Sequence, residues 1–234
     1  YQGMFSDGSL DPMSHINLGR DSDCIILAPA SAQTIARLAH GLADDLLSAA
    51  ILAARVPVIA CPAMNTGMFE HPATQTNIAT LKKYGYLVVD PDSGQMACGD
   101  SGKGRLPDWD RVCEHVLRAI SSADLSGQRI LVTAGPTRET FDPVRFISNP
   151  SSGKMGYAIA RTAFRRGADV TLVSGPTSLP SPEGVKTISV QSAEEMYEAV
   201  LAVYERFSII VKSAAVSDFR PLDVHSEKIK KDKL

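Results

Sequence analysis

The 234-residue chain is 44% hydrophobic and 21% charged, with a formal net charge of −2. Such a composition sustains a packed core and excludes disorder as the default, and its charge gives no electrostatic case for nucleic acid or an anionic membrane as the main partner. The length fits one large or two small domains, and no apolar run reaches the length of a membrane span.

Apolar runs alternate with helical patterns along the chain. DCIILAPA (23–30) predicts a short buried strand. Residues 31–53, with Ile35, Leu38, Ala39, Leu42, Leu46, Leu47 and Ala50 at helical spacing, predict a helix. VPVIACPA (56–63) predicts the next strand, Asn65 to Lys83 a loop and then a helix, and YLVVDP (86–91) a third strand. PDWDRVCEHVLRAI (107–120) predicts a helix with Pro and Asp favourably placed at its start. A polar stretch follows, and the alternation restarts. RILVTAG (129–135) predicts a strand, SSGKMGYAIARTAFRRG (151–167) a glycine-ended helix, and ADVTLVSG and VKTISV strands. AEEMYEAVLAVYERF (193–207) predicts an amphipathic helix, and SIIVKSAAVSDF (208–219) a strand with its trailing loop.

This alternation predicts an α/β fold of two doubly wound parallel-sheet units, residues 1–122 and 128–234, with 123–127 as linker. Ligands in such sheets bind beyond the carboxyl ends of the strands. The expected sites are therefore APAS (28–31), CPAMN (61–65), TAGPT (133–137), SGPTS (174–178) and SAAVSDF (213–219). A nicotinamide-binding second unit is a weaker alternative, because its first turn, AGPTRET, lacks GxGxxG.

The four cysteines, Cys24, Cys61, Cys98 and Cys113, form no CxxC pair and no Cys/His cluster at zinc spacing. Cys24 and Cys61 lie in apolar runs, as small buried hydrophobes do. This usage points to a reducing, cytoplasmic compartment. No signal-peptide pattern is present. Tyr1 in place of Met, and the charged run KIKKDKL at the other end, read as the cut ends of something longer.

ACGDSGKGR (97–105) and SNPSSGKM (148–155) both approach the phosphate-binding loop pattern and both fail it. Ala97 and Ser148 stand where the first Gly belongs, and Gly104 and Met155 where the hydroxyl belongs. Cys98 sits in a polar loop near Lys103 and Arg105, which suits either an activated thiol or an incidental cysteine. Asn65, just after a buried strand, suits either a helix cap or an amide that binds a carboxylate. His15 is a lone histidine before the first strand. The loop 133–156, with Arg145, Lys154 and a Ser-Ser-Gly approach to a helix, suits anion binding more than a plain cap.

PAMN, ACGDSGKGR, TAGPTRETFDPVRFISNPSSGKMG, AAVSDF and EKIKK, in this order, resemble the bacterial bifunctional phosphopantothenoylcysteine decarboxylase/phosphopantothenate–cysteine ligase family of coenzyme A biosynthesis. The resemblance covers essentially the whole chain and implies two Rossmann-like units, both incomplete. The first half resembles the FMN-dependent decarboxylase. There His15 matches the catalytic histidine, Asn65 the substrate-carboxylate ligand and Cys98 the proton donor. Ser31 falls where that domain contacts FMN. Gly99, Lys103 and Arg105 belong to a flap over the substrate, its glycines supplying hinge freedom and Lys103 or Arg105 meeting the substrate phosphate.

The second half resembles the CTP-dependent ligase, in which Mg²⁺ accompanies CTP. Lys212, Ser213, Ala214, Asp218 and Lys228 match CTP contacts, and Asn149 and Arg145 match residues acting on the acyl-cytidylate. The family further implies trimers of the flavin domain and dimers of the ligase domain, acting on 4′-phosphopantothenate, cysteine and CTP. The family's opening strand with its flavin-phosphate turn, and its segment after KIKK, have no counterpart here, so the isolated chain is expected to bind FMN and CTP poorly. The alternatives are a flavin-dependent decarboxylase of peptide cysteines, and a non-catalytic regulator on the same fold. The ligase-like half argues against the first, and His15, Asn65 and Cys98 together argue against the second.

Overall fold

The computed structural model describes residues 13–96 and 99–229. It divides into two units, Tyr1–Ile120 and Ser121–Leu234. Among the described residues no helix is long and apolar enough to cross a membrane.

In the first unit, helix α1 (Ser14–Arg20) precedes strand β1 (Ile25–Ala30), and β2 (Val58–Pro62) and β3 (Leu87–Val88) complete a parallel sheet of order β1-β2-β3. Strand β2 is central and buried along its whole length, which is why its sequence is apolar without alternation. Its residues nonetheless divide by face. Val58 and Ala60 pack with Leu27, Ile35, Leu38, Phe69, Ile78 and Leu81, while Ile59 and Cys61 pack with Val89 and Val112. Both faces of the sheet are therefore covered.

The single helix expected over 31–53 is two helices, α2 (Ala32–Ala39) and α3 (Leu46–Ala53). Apolar spacing continues across the break, but His40 and Gly41, the latter at φ +67°, end the first and Asp45 starts the second. Its carboxylate accepts the Ser48 N–H at 2.7 Å in a capping box, and Arg37 reaches back to pair with Asp44 and Asp45. After β2 come a short α4 (Thr66–Glu70) and α5 (Pro72–Lys83).

Residues 92–105, part of which reads as a flexible flap, hold an antiparallel pair, β4 (Asp92–Gln95) with β5 (Ser101–Arg105). Asp92 ties this pair to α6 (Trp109–Ala119), accepting the Asp108 N–H at 2.8 Å and pairing with Arg111.

The second unit carries a fully parallel sheet of order β10-β9-β6-β11. Its elements are β6 (Arg129–Ala134), a small hairpin β7 (Arg138–Thr140) and β8 (Phe146–Ser148), α7 (Lys154–Arg165), β9 (Asp169–Ser174), β10 (Lys186–Ser189), α8 (Ala193–Leu201) and β11 (Ile209–Lys212). Ile130, Val132 and Ala134 of β6 face α7 through Tyr157, Ala160 and Phe164. Leu131 faces the other way, onto Val173, Val190 and Met196. The hairpin lies inside a stretch whose composition reads as loop. The helix expected to reach 207 ends at Leu201 and continues as a single turn at Tyr204–Arg206, where Val203 and Phe207 turn back onto the Leu131 cluster.

The polar stretch 123–127 packs onto this unit. The Leu125 N–H donates to the Arg166 carbonyl at 3.0 Å, and Arg166 pairs with Asp124.

The strand order reverses at β6. The chain passes from β6 outward to β9 and β10, then returns to place β11 on the other side. Such a reversal opens a crevice at the carboxyl ends of the two strands that flank it.

Candidate functional site

The five strand-end segments singled out in the sequence gather in two places. In the first unit, APAS and CPAMN leave adjacent strands, with the Ala63 N–H donating to the Ala30 carbonyl at 3.2 Å. Ser31 caps α2, its Oγ accepting the Thr34 N–H at 3.2 Å. Asn65 is both the cap and the polar group that its sequence suits. Its Oδ1 accepts the Gly67 N–H at 2.9 Å, which leaves the Nδ2 amide to donate to the Asp100 carboxylate at 2.9 Å.

Strand β5 lies against this corner. The Met64 N–H donates to the Gly104 carbonyl at 2.9 Å, and a Cβ at Gly104 would lie 2.2 Å from the Met64 carbonyl oxygen. Only glycine permits that approach. The residue serves contact rather than hinge freedom. An open cleft of about 490 Å³ is lined here by Met64, Asn65, Gln95, Met96 and Arg105.

Arg105 therefore joins Asn65 at the cleft. Lys103 does not line it. Its Nζ pairs with Asp90 at 3.1 Å and sits 5.6 Å from the centre of the Phe69 ring. Lys82 approaches the same carboxylate at 3.7 Å. Partial burial pushes the Asp90 carboxyl up, and the two lysines more than reverse that, holding it below the usual carboxylate range. His15, on α1, does not line the cleft. Gly99 lies in the turn before β5, its N–H donating to the Met96 carbonyl at 2.9 Å. Cys98 lies outside the described residues.

In the second unit, TAGPT and SAAVSDF flank the crevice where the strand order reverses, and SGPTS backs onto them. A Cβ at Gly175 would fall 1.8 Å from the Pro136 carbonyl oxygen. Two buried threonines hold the loop after β11. The Thr133 Oγ1 accepts the N–H groups of Ser213 and Ala214 at 3.2 and 3.3 Å, and the Thr137 Oγ1 accepts the Ser217 N–H at 2.9 Å. Asn149 braces the same loop from the hairpin side, its Nδ2 donating to the carbonyls of Ala215 and Val216 at 3.3 and 2.9 Å.

Lys212, the last residue of β11, is exposed at the lip of the crevice. The Ser213 hydroxyl is buried without a hydrogen-bond partner. Asp218 lines a smaller cavity of about 230 Å³ with Glu139, Tyr197 and Phe219. Thr137→Val keeps the shape and strands one buried N–H. It is expected to cost about 1–3 kcal/mol, read as a lower urea midpoint, and an unchanged midpoint would show that Ser217 finds another acceptor.

Arg145 faces inward. Its Nε and Nη2 donate to the Asp142 carboxylate at 2.9 and 2.6 Å, and Nη2 also donates to the Ile229 carbonyl at 2.8 Å. Asp142, whose side chain is fully buried, further accepts the N–H groups of Val144 and Arg145, each at 2.8 Å, and that of Ile229 at 3.1 Å. Burial pushes this carboxyl up. The hydrogen bonds from Arg145, and then from the backbone of Val144 and Ile229, outweigh it and hold the group far below the usual carboxylate range. The hub fastens the segment that carries the exposed Lys228 to the β7–β8 turn. The sequence marked TAGPT as a site segment without giving Thr133 or Thr137 a role, and it missed Asp142. The signals present were hydroxyls in an otherwise apolar strand end and an Asp-Pro turn.

Residues 4–121 match the model of the Flavoprotein family, and residues 125–234 match that of the DNA/pantothenate metabolism flavoprotein C-terminal domain. The chain is 48% identical over 233 residues to the coenzyme A biosynthesis bifunctional protein CoaBC of Vibrio cholerae, covering 97% of this chain and 58% of that protein. It is 51% identical over 232 residues to the protein of the same name from Escherichia coli, covering 97% of this chain and 57% of the relative. The chain thus spans less than two thirds of the length of these relatives. Among solved structures, a PPC decarboxylase mutant complexed with pantothenoylaminoethenethiol matches at 34% identity and a TM-score of 0.44, covering 47% of this chain and 62% of that one. With the Flavoprotein model matched over residues 4–121, half of the chain, and the C-terminal domain model following over residues 125–234, the chain belongs to the Flavoprotein family.

Proposed function

We propose that the polypeptide to which this chain belongs carries out two consecutive steps of coenzyme A biosynthesis. In this reading the second unit joins 4′-phosphopantothenate to cysteine at the expense of CTP, and the first unit decarboxylates the product to 4′-phosphopantetheine. The observation that carries it is the pairing of the two matched families in one chain, in this order.

For the first unit, Ser31 and the start of α2 stand exposed at the carboxyl end of β1, where a hydroxyl and backbone N–H groups suit the polar side of FMN. When bound, FMN supplies reversible two-electron oxidation of the cysteine end, giving the electron sink for CO₂ loss. The chain's own part is to orient and protonate. Asn65 presents its amide to the substrate carboxylate, Arg105 at the cleft meets the phosphate, His15 is the catalytic histidine and Cys98 returns the proton. His15 stands apart from the cleft, which supports a site shared between copies of the chain.

For the second unit, Lys212, the Ser213 hydroxyl and Ala214 take phosphate oxygens of CTP, Asp218 meets the base, and Lys228 adds charge; the exposure of Lys212 and the partnerless, buried Ser213 hydroxyl support this reading. Asn149 acts on the acyl-cytidylate while bracing the 215–216 carbonyls. Arg145 acts there only by leaving its bonds to Asp142 and Ile229, or by shaping the turn from within them. In this reading Mg²⁺ enters with the triphosphate of CTP, whose developing charge it would neutralise. The free thiols of Cys24, Cys61 and Cys113 support a reducing, cytoplasmic setting.

Full-length protein supplied with 4′-phosphopantothenate, cysteine, CTP and Mg²⁺ is expected to yield CMP and 4′-phosphopantetheine. Absence of both products would sink the reading. Cys98→Ser is expected to release CO₂ yet accumulate an oxidised product, and reduced product at the normal rate would remove Cys98 from its role.

A further inference from the structure

We propose that Asp100 is an internal competitor for the carboxylate-binding amide of Asn65, so that substrate binds by displacing it. This rests on the reading that Asn65 receives the substrate carboxylate. The Asn65 amide has a fixed orientation, because its Oδ1 is committed to the Gly67 N–H at 2.9 Å and its Nδ2 must face the other way. The group in front of Nδ2 is the Asp100 carboxylate, at 2.9 Å. It is the same chemical group that the substrate brings. Asp100 is held there by its backbone, since the Met96 N–H donates to the Asp100 carbonyl at 2.8 Å where β4 runs into β5. Its side chain is exposed, so it returns to water when displaced, without leaving a buried charge behind.

A carboxylate in this position acts in two ways. It occupies the donor, and its charge repels an arriving carboxylate. Both effects weaken substrate and neither acts on the decarboxylated product, which no longer carries that group. Asp100 therefore weakens the cleft's hold on the substrate carboxylate while leaving its hold on the product unchanged.

The test uses the full-length, FMN-loaded protein and 4′-phosphopantothenoylcysteine. Asp100→Asn keeps the size of the side chain and removes its charge, and Asp100→Ala removes the competing group. Both are expected to lower the KM for substrate about three- to tenfold, the scale of one exposed charge-assisted hydrogen bond. Inhibition by 4′-phosphopantetheine is expected to stay within twofold of its original strength. An unmoved or raised KM in both variants would show that Asp100 merely orients Asn65 and would overturn the proposal, as would a parallel shift in product inhibition. No decarboxylation by the unaltered protein would overturn the functional reading itself, and this proposal with it.

Discussion

Asp142→Ala is expected to release the segment carrying Lys228 and to weaken CTP binding tenfold or more in the full-length protein, as titration calorimetry would show. The same change is expected to lower Tm by roughly 10 °C. Five donor contacts converge on this one carboxylate, three from backbone N–H groups and two from the Arg145 guanidinium. Alanine accepts none of them. The half-exposed Arg145 guanidinium and the Ile229 N–H, 87 residues from Asp142 in sequence, then lose their common partner.

The pH dependence has a definite sign. The folded-state carboxyl titrates far below its unfolded value, so the stability it contributes is complete above the unfolded pKa of about 3.9 and is lost as the pH falls through the folded one. Asp142→Asn removes that titration and is expected to flatten the acid limb of the stability curve below about pH 4. An acid limb of unchanged steepness, or CTP affinity within twofold of the original, would contradict the role assigned to the hub.

Gly104→Ala is expected to reduce decarboxylation by about 10²-fold or more, on the scale of a 1 Å misplacement of a reacting group, while the far-ultraviolet circular dichroism of the protein stays the same. The added methyl would lie 2.2 Å from the Met64 carbonyl oxygen and 3.3 Å from the Met96 sulfur. Backbone cannot yield as a flexible side chain does, so β5 must move away from the loop after β2. That loop bears Asn65, and β5 follows directly on Asp100, so the two residues joined across the gap separate together. Activity within threefold of the original would mean that the hairpin shifts without disturbing the cleft.

The strands were the most legible part of the molecule. IILAPA, VPVIACP, RILVTA and DVTLVS are short apolar runs bounded by turn residues, and buried parallel strands leave just that pattern. Helix boundaries were less legible, because a capping residue is a local event that apolar periodicity does not register. Gly41 and Asp45, ending one helix and starting the next, divide a run whose leucines keep helical spacing throughout. The β7–β8 pair was invisible for a different reason. Three residues a side are too few to establish a period of two.

In the candidate sites, Asn65 stood out as a polar amide straight after a buried strand, and the sequence left a helix cap and a carboxylate-binding amide equally open; in the structure it caps α4 and donates to a carboxylate at once. Asp142 did not stand out, because an acidic residue in a polar loop looks solvated until the chain 87 positions later folds over it. Lys103 shows how a motif leaves its partner open. A lysine among glycines suggests an anion, and the anion it meets is Asp90 of the same chain.

The threonine and aspartate contacts that shape the second crevice join residues far apart along the chain. Thr133 meets 213 and 214, Thr137 meets 217, and Asp142 meets 229. Strands β6, β9 and β10 and helix α7 are complete by residue 189, so a growing chain can lay down three of the four strands while their polar ends still lack partners. During synthesis at about 5–20 residues per second, the interval between the end of β10 and the completion of β11, the strand that pairs with β6, lasts a few seconds. Throughout it the inner edge of β6 has no neighbour, and that edge is the surface on which a stalled or truncated chain would aggregate.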